Sequence, residues 1–106
     1  MKDEKLGEKT IIIHADPEIQ ELIPTFLENR HKDARQIFEA LKQNDFEKIG
    51  MLGHSMKGAG SGYGFDRVTE IGALIETSAG ERQARSIEKL TEQLLDYLDH
   101  IKVIYE

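Results

Sequence analysis

From Asp16 to the C-terminus, apolar residues recur at steps of three and four with little interruption. That spacing lines up one face of an α-helix, and it predicts four or five helices. Asp16, Pro17 and Glu18 read as an N-cap, a first helical residue and an acidic first turn, so a short helix starts there. Pro24 would remove a hydrogen bond inside a helix, and it therefore separates this element from a longer one beginning at about Pro24. The longer helix places Leu27, Ala34, Ile37, Phe38 and Leu41 on one side and ends near Asn44. Asn44 and Glu47 form a capping-box pattern that starts the next helix. Its inward stripe is Phe46, Ile49, Gly53, Met56, Gly60 and Tyr63, and it stops at Gly64.

Asp66 is placed to cap a further helix with Val68, Ile71, Leu74, Ile75 and Ser78 inward, closed by Gly80 in a left-handed conformation. Ile87, Leu90, Leu94, Tyr97, Ile101 and Ile104 carry the same stepping through almost the whole C-terminal segment, predicting one last helix. Short turns make sequential helices antiparallel neighbours. The expected fold is all-α, an antiparallel four-helix bundle with a short extra N-terminal helix. Residues 1–15 are assigned to a tail and lead-in, and residues 16–106 to the bundle domain. Met1 to Lys9 alternates charges with little to bury and reads as a frayed, solvated tail. Thr10 to His14 is compatible with an extended strap on the bundle or with an irregular lead-in.

Composition narrows the function classes. A chain of 106 residues suits one core but not an elaborate catalytic cleft. The formal charge of −6 disfavours nucleic-acid binding, which needs basic surface to replace counterions. Zero cysteines exclude disulfides and thiolate metal sites and fit a cytoplasmic location. The longest N-terminal apolar run, Ile11 to Ile13, is too short for an export signal or membrane span. His14, His31 and His100 lack the His-x3-His or His-Glu-x2-His spacing that pairs ligands on one helical face, so no metal site is expected, nor a metal-dependent hydrolase. Gly58, Gly60, Gly62 and Gly64 follow no strand, which excludes a nucleotide-binding loop.

The segment Gly53-His54-Ser55-Met56-Lys57-Gly58-Ala59-Gly60-Ser61-Gly62-Tyr63-Gly64 combines helical periodicity with many glycines, each costing a helix roughly 1 kcal/mol relative to Ala. Close approach to the backbone is the economical explanation. Gly53 and Gly60 lie on the core stripe and suit tight helix packing. His54 turns more than a quarter turn from that stripe, with Met51 and Gly58 beside it, and is expected to be accessible. Lys57 lies one turn along and Ser61 two turns along the same face. An accessible ring, a cation, a polar donor and cleared ground are what an imidazole nucleophile needs to accept a phosphoryl group. Histidine, with a reference pKa of about 6.5, is substantially neutral at cellular pH and needs no activating triad.

The run His54-Ser55-Met56-Lys57-Gly58 followed by Gly64 resembles the His-x-x-Lys-Gly-x5-Gly signature of histidine phosphotransfer (HPt) domains of bacterial two-component phosphorelays. Phe65, the stretch Gly72-Ala73-Leu74-Ile75-Glu76 and the helix order extend the similarity from about Asp16 to Ile104. The resemblance implies that the His54 ring nitrogen distal to the backbone accepts a phosphoryl group from a receiver-domain aspartyl phosphate and returns it to another. Lys57 would stabilise its charge, Ser61 would hydrogen-bond imidazole or phosphate, Met51 and Gly58 would meet the partner, and Gly64 would permit the turn out of the helix. It further implies a phosphotransfer intermediate without kinase activity of its own and without a cofactor, any magnesium being carried by the receiver. The implied partners are response-regulator receiver domains and a hybrid histidine kinase. A monomer with no nucleic-acid or membrane partner is expected, and the initial Met favours a stand-alone protein over a piece of a hybrid kinase. The alternative is a helical adaptor that docks on receivers through the same face without being phosphorylated.

Overall fold

The computed structural model describes residues 10–106; the tail assigned to Met1 to Lys9 lies outside the described residues. Strand β1 (Ile11–Ala15) leads into a 3-10 helix (Pro17–Leu22), followed by α1 (Ile23–Lys42), α2 (Phe46–Gly60), a 3-10 turn (Ser61–Tyr63), α3 (Asp66–Gly80), α4 (Ala84–His100) and β2 (Ile101–Tyr105). The helices form an all-α four-helix bundle in which α1 packs on α2, α2 on α3, α3 on α4 and α4 back on α1. The extra N-terminal helix is the 3-10 element, with Asp16 accepting from the Glu18 amide at 2.9 Å and Pro17 at its start. Pro24 falls in the first turn of α1, where a missing amide leaves no carbonyl unpaired.

The core is made by Ile23, Phe26, Ala34, Ile37, Ile49, Met56, Phe65, Val68, Ile71, Ile75, Ile87 and Leu94, all buried. Each large side chain removed from water stabilises the fold by roughly 1.5–3 kcal/mol. On α1 the inward face is rotated from expectation: Phe26, Arg30 and Ala40 are buried, while Leu27, Phe38 and Leu41 are only partly so. Phe26 explains the rotation, because its ring stacks between Tyr63 and Phe65 at centroid separations of 4.6 and 5.0 Å. Arg30 covers that ring 4.7 Å from its centroid and donates from Nε to Asp33 at 2.9 Å. Burial raises the Asp33 carboxyl above its ordinary value, and the adjacent guanidinium opposes the rise.

Several expected termini move by a residue or two. Asp45, rather than Asn44, caps α2 by accepting from the Lys48 amide at 3.1 Å. Asn44 instead takes the left-handed conformation (φ 55°) that closes α1. Phe65 occupies the N-cap of α3, and Asp66 is the first helical residue. Gly80 stays within α3, while Arg82 (φ 56°) is the left-handed residue beyond it. Leu74 is half exposed because it sits on the outer side of α3.

The largest departure is at the C-terminus. Helix α4 ends at His100, and Ile101 and Ile104 lie in a strand, not on a helical stripe. Strand β2 pairs in parallel with β1, with Ile11 opposite Ile101 and Ala15 opposite Tyr105. Both segments are dense in β-branched and aromatic residues, which suit a pleated, half-buried surface better than a helix end. Thr10 to His14 therefore supplies the strap of the two readings open to it, and its partner is the chain's other end.

Candidate functional site

The site is assembled where α2 and α3 approach most closely. A Cβ on Gly53 would stand 2.8 Å from both the Glu76 amide nitrogen and the Gly72 carbonyl oxygen. One on Gly72 would meet the Lys57 amide nitrogen at 2.6 Å, and one on Gly60 would meet Thr69 Oγ1 at 2.5 Å. Only glycine admits backbone this close, so the packing role expected of Gly53 and Gly60 holds and Gly72 joins them. Thr69 adds a hydrogen bond from its hydroxyl to the Lys57 carbonyl, 3.1 Å, fixing the register of the two helices.

That register carries Glu76 of α3 to the two functional candidates of α2. Its Oε2 lies 2.9 Å from His54 Nδ1 and its Oε1 lies 3.1 Å from Lys57 Nζ. The hydrogen bond from Lys57 is the main reason the Glu76 carboxyl falls below its ordinary value; partial burial opposes the fall and the His54 contact adds to it. Glu76 is therefore ionised at neutral pH, and an ionised carboxylate only accepts hydrogen bonds. In the neutral imidazole the ring proton must then sit on Nδ1, and the lone pair is left on Nε2. The His54 side chain is 68% exposed, so that lone pair is accessible to an electrophile presented by a docking protein.

The other candidates occupy different ground. Met51 is exposed beside His54, and together they line a cavity of about 630 Å³ with Phe46, Glu47, Gly50, Glu76, Ala79, Gly80 and Arg82. Gly58 is exposed, and a Cβ there would find nothing within 4 Å, so packing does not demand glycine at this position. Ser61 is exposed at the start of the 3-10 turn, and among the described residues its hydroxyl makes no hydrogen bond to His54, whose Nδ1 is taken by Glu76. Gly64 has φ 87°, with only the His14 carbonyl oxygen at 3.7 Å from a Cβ position; backbone conformation, not space, calls for glycine.

Glu76 is the site residue that spacing alone did not assign a role. The signal was the glycines at 53, 60 and 72, which mark two helices able to touch backbone to backbone. Among the described residues no group of three or more His, Cys, Asp or Glu side chains is arranged to hold a metal ion, and no helix is long and apolar enough to cross a membrane. A family model described as Hpt domain matches residues 21–103. No curated protein and no solved structure matched the chain.

Proposed function

The chain belongs to the Hpt domain family, whose members are phosphotransfer carriers rather than kinases, and from that premise we propose that His54 relays a phosphoryl group between receiver-domain aspartates. The observation that carries the reading is the His54–Glu76 hydrogen bond, which holds the ring in the tautomer with its lone pair on Nε2. In the forward step that lone pair attacks phosphorus of a receiver aspartyl phosphate. The N–P bond forms as the P–O bond breaks, and the aspartate leaves as a carboxylate. Positive charge that develops on the ring is balanced by Glu76 through Nδ1–H. The reverse sequence returns the group to a second receiver.

Lys57 shares the Glu76 carboxylate with the reacting ring, held by it at 3.1 Å and still 43% exposed. It stabilises the incoming phosphoryl charge without the desolvation that would trap the product. Gly58 leaves flat ground for the receiver's loops, Met51 supplies apolar contact beside the ring, and Ser61 takes a phosphate oxygen once the group is in place. Magnesium is carried by the receiver. A hybrid histidine kinase and response-regulator receivers are the partners this chemistry requires.

Incubation with a phosphorylated receiver domain tests the proposal. The expected result is acid-labile, alkali-stable label on the wild type and none on His54→Gln. Complex formation without label, equal for both proteins, would replace the carrier with a docking adaptor.

A further inference from the structure

Three helix ends in this chain close by the same device. Asn44, Gly64 and Arg82 are left-handed, with φ of 55°, 87° and 56°. In each case the next residue's amide reaches back five positions: Asp45 to the Ala40 carbonyl, Phe65 to Gly60 and Gln83 to Ser78, each at 2.9 Å. Asparagine and glycine are the usual occupants of such a position, because a long L side chain is strained there. Arginine is the exception of the three, and local backbone chemistry gives no reason for it.

Its surroundings supply one. The Arg82 guanidinium stands 4.8 Å from the centroid of the Phe46 ring. Among the described residues it has no ion-pair partner, in a chain whose formal charge is −6. Phe46 and Arg82 line the same cavity as His54 and Met51. Two carboxylates share the lining: Glu76, whose charge is taken by Lys57 and His54, and Glu47 in the first turn of α2. A protein that brings an aspartyl phosphate to His54 must cover ground beside the ring, and this cavity is concave, partly apolar ground of that kind.

We propose that Arg82 is a docking and specificity residue, whose guanidinium, held over the Phe46 ring, receives a carboxylate of the phosphoryl-exchanging protein while an adjoining apolar side chain of that protein enters the cavity against Met51 and Gly50. The inference rests on the reading of His54 as the phosphorylated residue. It commits to one occupant: a receiver face that carries an acidic residue next to an apolar one. The backbone strain at position 82 is retained because the cation serves that contact.

The test uses a phosphorylated receiver domain that labels the wild-type chain, with initial rates measured over a range of receiver concentrations. Arg82→Gly removes both strain and cation, so its Tm should rise while KM for the receiver increases by about threefold, as loss of an exposed ion pair implies, with little change in maximal rate. Arg82→Glu should raise KM further, and Arg82→Lys should recover part of the loss. Added salt should raise the wild-type KM and leave that of Arg82→Gly nearly flat. Because Arg82→Gly is stabilised, weaker docking cannot be put down to unfolding. A labelled wild type whose KM is matched by Arg82→Gly and Arg82→Glu would overturn this inference alone. A wild type that takes no label from any receiver would remove the reading of His54 and the inference with it.

Discussion

Glu76 joins two groups that the sequence places on one helix face but does not connect. His54 and Lys57 are three residues apart, a local relation legible from spacing. Their common acceptor lies on another helix, and its arrival depends on an α2–α3 register that single-helix periodicity does not contain. Because hydrogen bonding from Lys57 is the largest cause of the lowered Glu76 carboxyl, Lys57→Ala should move its titration midpoint up towards the ordinary 4.5. His54→Gln should move it less. Carbon NMR of the Glu76 carboxyl measures both. The folded value is depressed, so whatever these contacts add to stability is present above the ordinary carboxylate range and is lost as pH falls through the lowered value. Glu76→Ala should also shift the His54 proton from Nδ1 towards Nε2, visible in nitrogen NMR, and slow phosphotransfer; Glu76→Gln, which keeps an acceptor, should do less. Tyr97 titrates in the opposite direction. Burial, followed by the charge of Asp66, pushes its phenol up to about 12, and its buried hydroxyl has no partner among the described residues. Stability contributed by the neutral phenol is complete below about pH 10 and is lost as pH rises through about 12. Tyr97→Phe removes an unsatisfied hydroxyl, so it should raise stability by up to about 1 kcal/mol in urea melts and flatten that alkaline loss.

At the scale of elements, the glycines of α2 separate into two kinds that a substitution series distinguishes. Gly53→Ala or Gly60→Ala drives a methyl group into α3 backbone and should cost about 1–3 kcal/mol. Gly58→Ala meets open space and should stabilise the helix by about 0.5–1 kcal/mol, while slowing transfer from a receiver, whose loops meet the added methyl group. Thermal melts and transfer rates on the same three variants test both halves. The stripe from Phe46 to Tyr63 was legible because a helix that packs along its whole length writes its period into the sequence. The helix ends were less so. Asn44 and Asp45 are both good caps by residue type, and what decides between them is the left-handed turn that puts Asn44 outside both helices. At the end of α3, Gly80 is the residue a left-handed position prefers, yet Gly80 is the last helical residue and the left-handed position falls two residues on, at Arg82. Ile101 and Ile104 misled for a different reason. Ile101 and Ile104, three apart, continue an α-helical period, whereas in the strand they fall on opposite faces. The alternation that marks the strand, Ile101, Val103 and Tyr105, spans only five residues and is too short to override the longer helical stripe before it. The separation came from Ile11 to Ile13, at the other end of the chain.

For the whole molecule, the β1–β2 pair closes what the helices leave open. The bundle's four contacts run between neighbouring helices, whereas the strap joins segments about ninety residues apart in sequence, with the His14 Nδ1–Glu106 Oε2 pair at its end separated by 92 positions. Its inner face, Ile13 with Ile101, Val103 and Tyr105, packs against the core, and its outer face leaves Ile12 and Ile104 partly exposed. A two-stranded sheet alone is marginal in water, so the strap depends on that packing and the core edge depends on the strap. Ending the chain after His100 should unpair β1 and expose its apolar side chains, at a cost of about 2–4 kcal/mol for the half-buried side chains lost. A domain of this size loses roughly 4–8 °C of Tm per kcal/mol, so calorimetry should show a drop well above error. His54, Lys57 and Glu76 lie on α2 and α3, and their ion pairs involve neither strand. The truncated chain should therefore still take label from a phosphorylated receiver at temperatures where its circular dichroism remains helical. Loss of labelling in a helical truncated chain would place the strap in the docking surface, in addition to the fold.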